Sequence, residues 1–407
     1  MRHFALLGGL VAQSAFGMGL FGISPSPIGY NMVKINPSTG VATPVAYLGY
    51  QNWQAINSMT YDPVNRLYVA VATSGGTSAQ FIFINPMDWA HWSTDLDTPA
   101  QYWEAIEWMP GWPNPMVVTG GSNYYTQYLI FYNTNHVASA FTLGNVPGNY
   151  DMDSLFRDAG NNLNTLDVNN PVDGISPRHI IVGATNNNWT WTPYSNWTAH
   201  GDFDMDGAYD PVTQRTYLSR WTNLGYYSPN GASIINLPNY GSGINVGALA
   251  YGAEKVTITG NIVLENTISN FAFGTQRDIN YAIKQGTTTV WSGMVTATTQ
   301  VHNFSIEIPS DIQGPSIFEW DTGPHLVKKL IIVLPGYSTG FGTVNLKNGD
   351  CDLSGEVDSA DIDVVIANFG NVYPNDPGNL NADVDCSGEV DSDDIDIVIA
   401  CFGNVDD

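Results

Sequence analysis

The chain has 407 residues, 38 Asp and Glu against 13 Lys and Arg, and a formal net charge of −25. So few bases exclude nucleic-acid binding through basic patches and argue against an anionic membrane surface, while an apolar share of 43% excludes wholesale disorder. The charge is uneven: residues 349–407 hold 16 of the acids and no base, leaving the other 348 residues at only −9.

In chain order, the first element is a leader. Arg2 and His3 precede the apolar run 4–12 and the stretch Gln13-Ser14-Ala15-Phe16-Gly17. That order predicts a secretory signal over residues 1–17, cut after Ala15 or Gly17, with an ordinary N-terminal strand as the alternative. The run is too short to span a bilayer, and no later stretch of about 20 apolar residues follows. The expected location is extracellular, free or attached to a cell surface, with no membrane insertion. Cys351, Cys386 and Cys401 all fall in the acidic tail, where an oxidising compartment allows one disulfide and leaves one thiol. No histidine lies there and the cysteine spacing is wrong, so a zinc set is excluded.

Residues 18–252 carry a fading repeat. The segment from Ile56 through Tyr61-Asp62-Pro63 to Tyr68 is echoed from Asp206 through Tyr209-Asp210-Pro211 to Tyr217, with weaker copies around Trp108 and Phe156. Val246 to Tyr251 looks like a fifth start. Spacings near 50 residues, with alternating apolar residues and turn signals, predict four short strands per unit, as in propeller blades. Two Ile-Asn-Pro elements, at 35–37 and 84–86, fit a third strand entering its turn. The segment 20–48 lacks an opening strand and Val246–Tyr251 lacks the rest, so both ends together complete one blade and leave no free edge. Five blades are expected, with four or six as near alternatives. The Tyr-Asp-Pro repeats resemble those of divergent bacterial propellers, a resemblance confined to short motifs that implies no activity.

Candidate acids for a catalytic channel are Glu104, Glu107, Asp151, Asp153, Asp202, Asp204 and Asp206. Asp202, Asp204 and Asp206 alternate with other residues, so on a strand they share one face, which on an inner strand is the channel. The three readings are a structural role, a channel-facing metal or substrate site, and the start of a calcium loop. The last lacks a carboxylate at position 12, where Thr213 stands. Trp189, Trp191, Tyr194 and Trp197 suit sugar stacking or blade packing equally in kind, and packing is the expectation.

Residues 253–346 change to two-residue alternation, as in Val256–Gly260, Asp278–Ile283, Thr289–Gly293, His302–Pro309 and Leu326–Leu334. About seven strands predict a β-sandwich. Strand pattern and domain order resemble transthyretin-like or carboxypeptidase-regulatory-like modules, which implies a spacer.

Residues 347–407 hold two matching segments offset by 33 residues: Asp350, Asp352, Ser354, Glu356, Asp358, Asp361, and Asp383, Asp385, Ser387, Glu389, Asp391, Asp394. Each falls at positions 1, 3, 5, 7, 9 and 12 of a twelve-residue loop with glycine at 6 (Gly355, Gly388). Calcium needs six to eight hard oxygens around one point, the glycine permits the turn, and position 7 contributes its backbone carbonyl. At least five carboxylates in each loop repel one another unless a cation is present. Two Ca2+ ions are therefore expected. Val357 and Val390, at position 8, are expected to pair the loops. Each loop runs into an apolar helix, 362–371 and 395–404, with Ile362, Val365, Ile366 and Phe369 forming one buried face and glycine ending it.

Duplicated loop-then-helix segments with Asp at position 12 resemble a type I dockerin over about 55 residues. The resemblance implies calcium-dependent attachment to a cohesin-like or other surface protein, often in polysaccharide breakdown. The chain departs from the family at positions 10 and 11 (Ser359-Ala360, Ser392-Asp393) and 17 and 18 (Ile366-Ala367, Ile399-Ala400). Antiparallel helices would bring Cys401 near Cys351, predicting a disulfide between them. The expected whole is a mainly β protein with a propeller, a sandwich and a small helical calcium module. Its expected work is binding and display, the propeller contacting a glycan or protein. The alternative is a polysaccharide-degrading glycoside hydrolase or lyase with a catalytic propeller.

Overall fold

The computed structural model describes residues 18–406 apart from 50–52, 75–78, 96–101, 110–115, 124–125, 133–139, 146–151, 158–161, 168–176, 183–188, 194–205, 212, 220, 228–233 and 376–377. The predicted leader lies outside the described residues. The described chain is mainly β and separates into two compact units, one ending at Glu254 and the other running from Lys255 onward.

The first unit contains five four-stranded antiparallel sheets among the described residues. One consists of Trp53–Asp62, Leu67–Ser74, Ala79–Ile84 and His91–Asp95 in that order. Three more open with Tyr102–Trp108, Met152–Arg157 and Gly207–Asp210. The fifth takes its strands from both ends: Ala248–Ala253 pairs antiparallel with Met18–Ser26, followed by Gly29–Ile35 and Ala42–Gly49. The opening strands neighbour one another in a closed cycle, from Ala248–Ala253 to Trp53–Asp62 and onward through Gly207–Asp210 back to Ala248–Ala253. The arrangement is propeller-like. The repeated aromatics Tyr61, Trp108, Phe156, Tyr209 and Tyr251 all stand on these opening strands.

Turn chemistry sets the strand ends. Asp62 Oδ1 accepts from the Val64 and Asn65 amides at 2.9 and 3.1 Å, which closes the Asp-Pro turn. Ile35 and Ile84 each end a third strand, and the following Asn36 and Asn85 accept from the Ser38 and Met87 amides at 2.9 Å. Strand alternation then sends Phe21 and Ile23 into one buried layer and Leu20 into another, so the sheet built from both ends is packed on both faces. Gly252 is needed at this contact: a Cβ there would lie 2.6 Å from the Tyr61 ring.

In the second unit, a three-stranded sheet (Val301–Pro309, Lys255–Leu264, Thr339–Leu346) faces a four-stranded one (Thr288–Ala297, Arg277–Gln285, Gly314–Thr322, His325–Leu334). Ile258, Phe304 and Ile306 from the first sheet share a core with Ile279, Ile283, Phe318 and Trp320 from the second. Trp320 stacks on Phe318 with ring centroids 4.6 Å apart. The acidic tail joins this sandwich within the same unit. Leu326 from a sandwich strand packs in one cluster with Val357, Val365, Val390 and Val398 of the tail.

The tail helices are α1 (Ser359–Ala367) and α2 (Ser392–Cys401). They begin earlier than the apolar pattern predicts, because Asp358 and Asp391 cap them from inside the loops in capping boxes with Asp361 and Asp394. The predicted buried face is corrected too. Val365 is fully buried, but Ile366 and Phe369 are each 56% exposed, since no described element covers that side. The two loops do not pair through Val357 and Val390. Instead Glu356 bridges to Val405 beyond α2, and Glu389 to Val372 beyond α1, so each loop pairs with the segment that follows the other helix.

Candidate metal centre

The two acidic loops have matching backbones. Position 4 has a positive φ in both, 63° at Leu353 and 64° at Cys386, and position 6 follows with 87° at Gly355 and 92° at Gly388. Both helix caps share φ −137° and ψ −160°. A sharp turn at position 6 is what glycine permits, and it folds positions 1, 3 and 12 back on one point.

Asp350, Asp352 and Asp361 each offer a carboxylate oxygen, and these lie within 4.8 Å of one another; Asp383, Asp385 and Asp394 do the same. Three sequence-predicted ligands per loop are thus brought together. Asp361 and Asp394 are fully buried, each receiving two amides from the start of its loop, such as Cys351 N at 2.6 Å and Val384 N at 2.6 Å. The other predicted oxygens are used locally. Ser354 and Ser387 donate to the Glu356 and Glu389 carbonyls at 3.0 and 3.1 Å, and Asp358 and Asp391 accept from helix amides at 2.7 Å.

Burial, reinforced by neighbouring carboxylates, pushes Asp350 up to about 6 and Asp394 up to about 6. Asp383 is pushed up to about 7, mainly by burial, with Arg277 opposing the shift. Its Oδ1 is buried and has no hydrogen-bond partner. An orphaned carboxylate oxygen within a hard-oxygen donor set fits a divalent cation of the calcium type better than a soft metal. Sequence reasoning missed Arg277 as a neighbour of this site, because its strand lies about a hundred residues upstream.

The expected Cys351–Cys401 disulfide is not formed. All three cysteines are free and buried. The Cys401 thiol accepts from Asn266 Nδ2 at 3.4 Å, while the Cys351 thiol points to the Gly349 carbonyl at 3.6 Å, so the two sulfurs turn to different partners.

In the first unit, Asp202, Asp204 and Asp151 lie outside the described residues, as do the side chains of Glu104, Asp153 and the aromatic group at 189–197. Asp206 is described, and its carboxylate is closed off from solvent. It is fully buried, accepting from Ser58 Oγ at 2.7 Å, Met59 N at 3.0 Å and Leu249 N at 2.7 Å. Those donors belong to two opening strands and Asp206 stands just before a third, so the carboxylate ties three sheets together. Burial pushes it well above the usual carboxylate range. Glu107 is likewise buried, with Thr60 Oγ1 and Trp108 N at 3.3 and 3.1 Å from Oε1. Burial raises it to about 7 despite the opposing Arg157 charge. Among the described residues, no helix is long and apolar enough to cross a membrane.

No family model and no curated protein matches the chain. Solved structures similar to it include a type II cohesin–X–dockerin complex from Acetivibrio cellulolyticus, with 14% identity, 37% of this chain and 97% of that chain covered, and a TM-score of 0.30. A periplasmic gluconolactonase from Pseudomonas aeruginosa has 10% identity over 74% of this chain and 78% of its own, with a TM-score of 0.32. An exo-β-1,3-galactanase from Phanerochaete chrysosporium has 9% identity over 71% and 89%, with a TM-score of 0.33. Likenesses this distant define no family for the chain.

Proposed function

We propose that this is an extracellular attachment protein: a five-bladed propeller displays a binding surface, and a dockerin-like tail loaded with two calcium ions fastens the chain to a protein partner. One observation carries the reading, the duplicated convergence of three carboxylates within 4.8 Å in loops of matching backbone. Like charges brought that close repel strongly unless a cation lies between them. Asp350, Asp352 and Asp361 would hold one ion and Asp383, Asp385 and Asp394 the other. The serines, the position-7 carbonyls and the position-9 acids complete each shell.

The partner surface is supported by a second feature of the helices. Ile366 and Phe369 on and after α1, and Ile399 and Phe402 at the matching places of α2, are each 55–56% exposed. Duplicated, exposed large apolar side chains suit a protein partner rather than solvent. Of the candidate acids for a catalytic propeller, Asp206 already accepts three buried hydrogen bonds and Glu107 is buried as well, while the side chains of the others lie outside the described residues.

Calorimetric titration of the chelator-treated chain with calcium is the direct test. Two ions per chain are expected, falling to one when Asp361 or Asp394 is replaced by Ala. No heat of binding, with an unchanged fold in chelator, would overturn the proposal.

A further inference from the structure

The two loops agree in sequence register and backbone, and what differs is what stands behind them. The second loop is seated on the sandwich through its own carbonyls. Ile268 N donates to the Asp385 carbonyl at 2.9 Å, while Ala272 N and Thr275 Oγ1 donate to that of Cys386 at 3.0 and 3.1 Å. Arg277, 3% exposed at the start of a sandwich strand, donates through one terminal nitrogen to the carbonyls of Leu380 (3.2 Å) and Asp383. Its other terminal nitrogen donates to the segment just before its own strand, at Thr275 O (3.3 Å). The guanidinium is thus fixed at both ends.

Its charge acts on a neighbouring ring and on the loop. His325, the buried ring beside it, has no partner at either nitrogen and is held neutral by burial and by Arg277 itself. The positive charge also acts on Asp383, whose Oδ1 is otherwise orphaned. Neighbouring carboxylates act on both position-1 acids, Asp361 and Asp352 on Asp350 and Asp394 and Asp385 on Asp383, and of the two only Asp383 also feels Arg277. The first loop's seat on the sandwich is made through amides, with Gly349 N and Asp350 N donating to Pro324 O at 2.7 and 2.9 Å.

We propose that Arg277 is a resident cation for the second loop, holding it closed without calcium, so that the first loop needs the ion to fold and the second does not. The inference rests on the calcium reading above. It makes Arg277 a positioning residue, since it reaches the loop through backbone carbonyls and through charge and need not ligate the ion. A guanidinium suits this role because it is always charged and its planar fork serves two carbonyls at once. The closed second loop would keep the sandwich–tail junction intact in low calcium, while the first loop alone would respond to the ion.

The test is amide hydrogen exchange on the full chain, comparing segments 350–361 and 383–394 in calcium and in chelator. In calcium both segments should be protected. In chelator the second should exchange at least about tenfold more slowly than the first. Arg277→Met should abolish that difference in chelator while calcium restores protection to both segments, and Arg277→Lys should retain part of it. Equal exchange of the two wild-type segments in chelator would overturn the proposal, as would an unchanged difference in Arg277→Met. The wild-type comparison decides even if Arg277→Met does not fold. Failure of the calcium reading is separately visible, as exchange that calcium alters in neither loop. Failure of the Arg277 proposal alone would show as equal exchange of the two segments in chelator, with calcium slowing both by the same factor.

Discussion

Asp206 separates a structural acid from a chemical one, and two substitutions expose the difference. Asp206→Ala would strand the Met59 and Leu249 amides in a place with no access to water and leave the Ser58 hydroxyl only a long 3.4 Å bond to the Ile106 carbonyl. Each buried unsatisfied donor costs about 1–3 kcal/mol, and the relief of no longer burying a carboxylate offsets part of the sum. A net loss of about 3–5 kcal/mol is expected. Asp206→Asn is different, because the amide oxygen can accept from both backbone amides while its NH2 turns to the Ser58 oxygen. That variant should stay within about 1 kcal/mol of the wild type, since it keeps the hydrogen bonds and removes the charge-burial cost. Urea unfolding followed by tryptophan fluorescence reads the first unit selectively, because ten of the 12 tryptophans precede Glu254. Equal destabilisation by Asn and Ala, or less than about 1 kcal/mol for Ala, would refute the role of a tie between sheets.

Two further outcomes follow from buried groups. Glu107 titrates near 7 when folded against an ordinary value of 4.5, so the folded form holds a proton that the unfolded chain has lost. Its contribution to the stability of the first unit should be greatest below 4.5, fall as pH rises to about 7 and then level off, by up to about 3 kcal/mol. Glu107→Gln should flatten that slope in urea unfolding run across pH, and an unchanged slope would count against it. The cysteines are buried, with Cys386 pushed up to about 12. The native chain should react slowly with a thiol reagent and yield three thiols in denaturant, whereas a yield of one would restore the Cys351–Cys401 bridge.

What could be read in advance was local. Asp62 after Tyr61 makes its own turn through Val64 N and Asn65 N, and Asn36 after Ile35 does so through Ser38 N, so these strand ends are written within four residues. The sheet shared between the two ends of the first unit was legible because each end lacked what the other supplied. The carboxylate triads were legible because the whole ligand register lies within twelve residues. Asp206 was not, since its partners lie 148, 147 and 43 residues away and alternation along a strand says only which face it shares. Helical periodicity placed Ile366 and Phe369 on one face correctly in kind, yet it carries no information on whether anything covers that face. Arg277 left no local trace at all, being 106 residues from the carbonyl it holds.

The junction behind Arg277 also changes what the sandwich does. A spacer between independent modules would be indifferent to the state of its neighbours. Here Leu326 shares a core with Val357, Val365, Val390 and Val398, and three sandwich residues besides Arg277 donate to loop carbonyls. Unfolding either part would expose the other's core, so the stability of residues 255–407 is held in common. An ion that binds only the folded loops, at a concentration about a thousandfold above its dissociation constant, adds about 4 kcal/mol to whatever unit folds with them. With calcium bound as proposed, that gain reaches Trp320 and the sandwich core as well as the tail. Chelation should therefore lower the denaturation temperature of the sandwich, read by Trp291 and Trp320 with the other tryptophans replaced by Phe. A sandwich transition that ignores calcium would show that the shared core couples the two parts too weakly to matter.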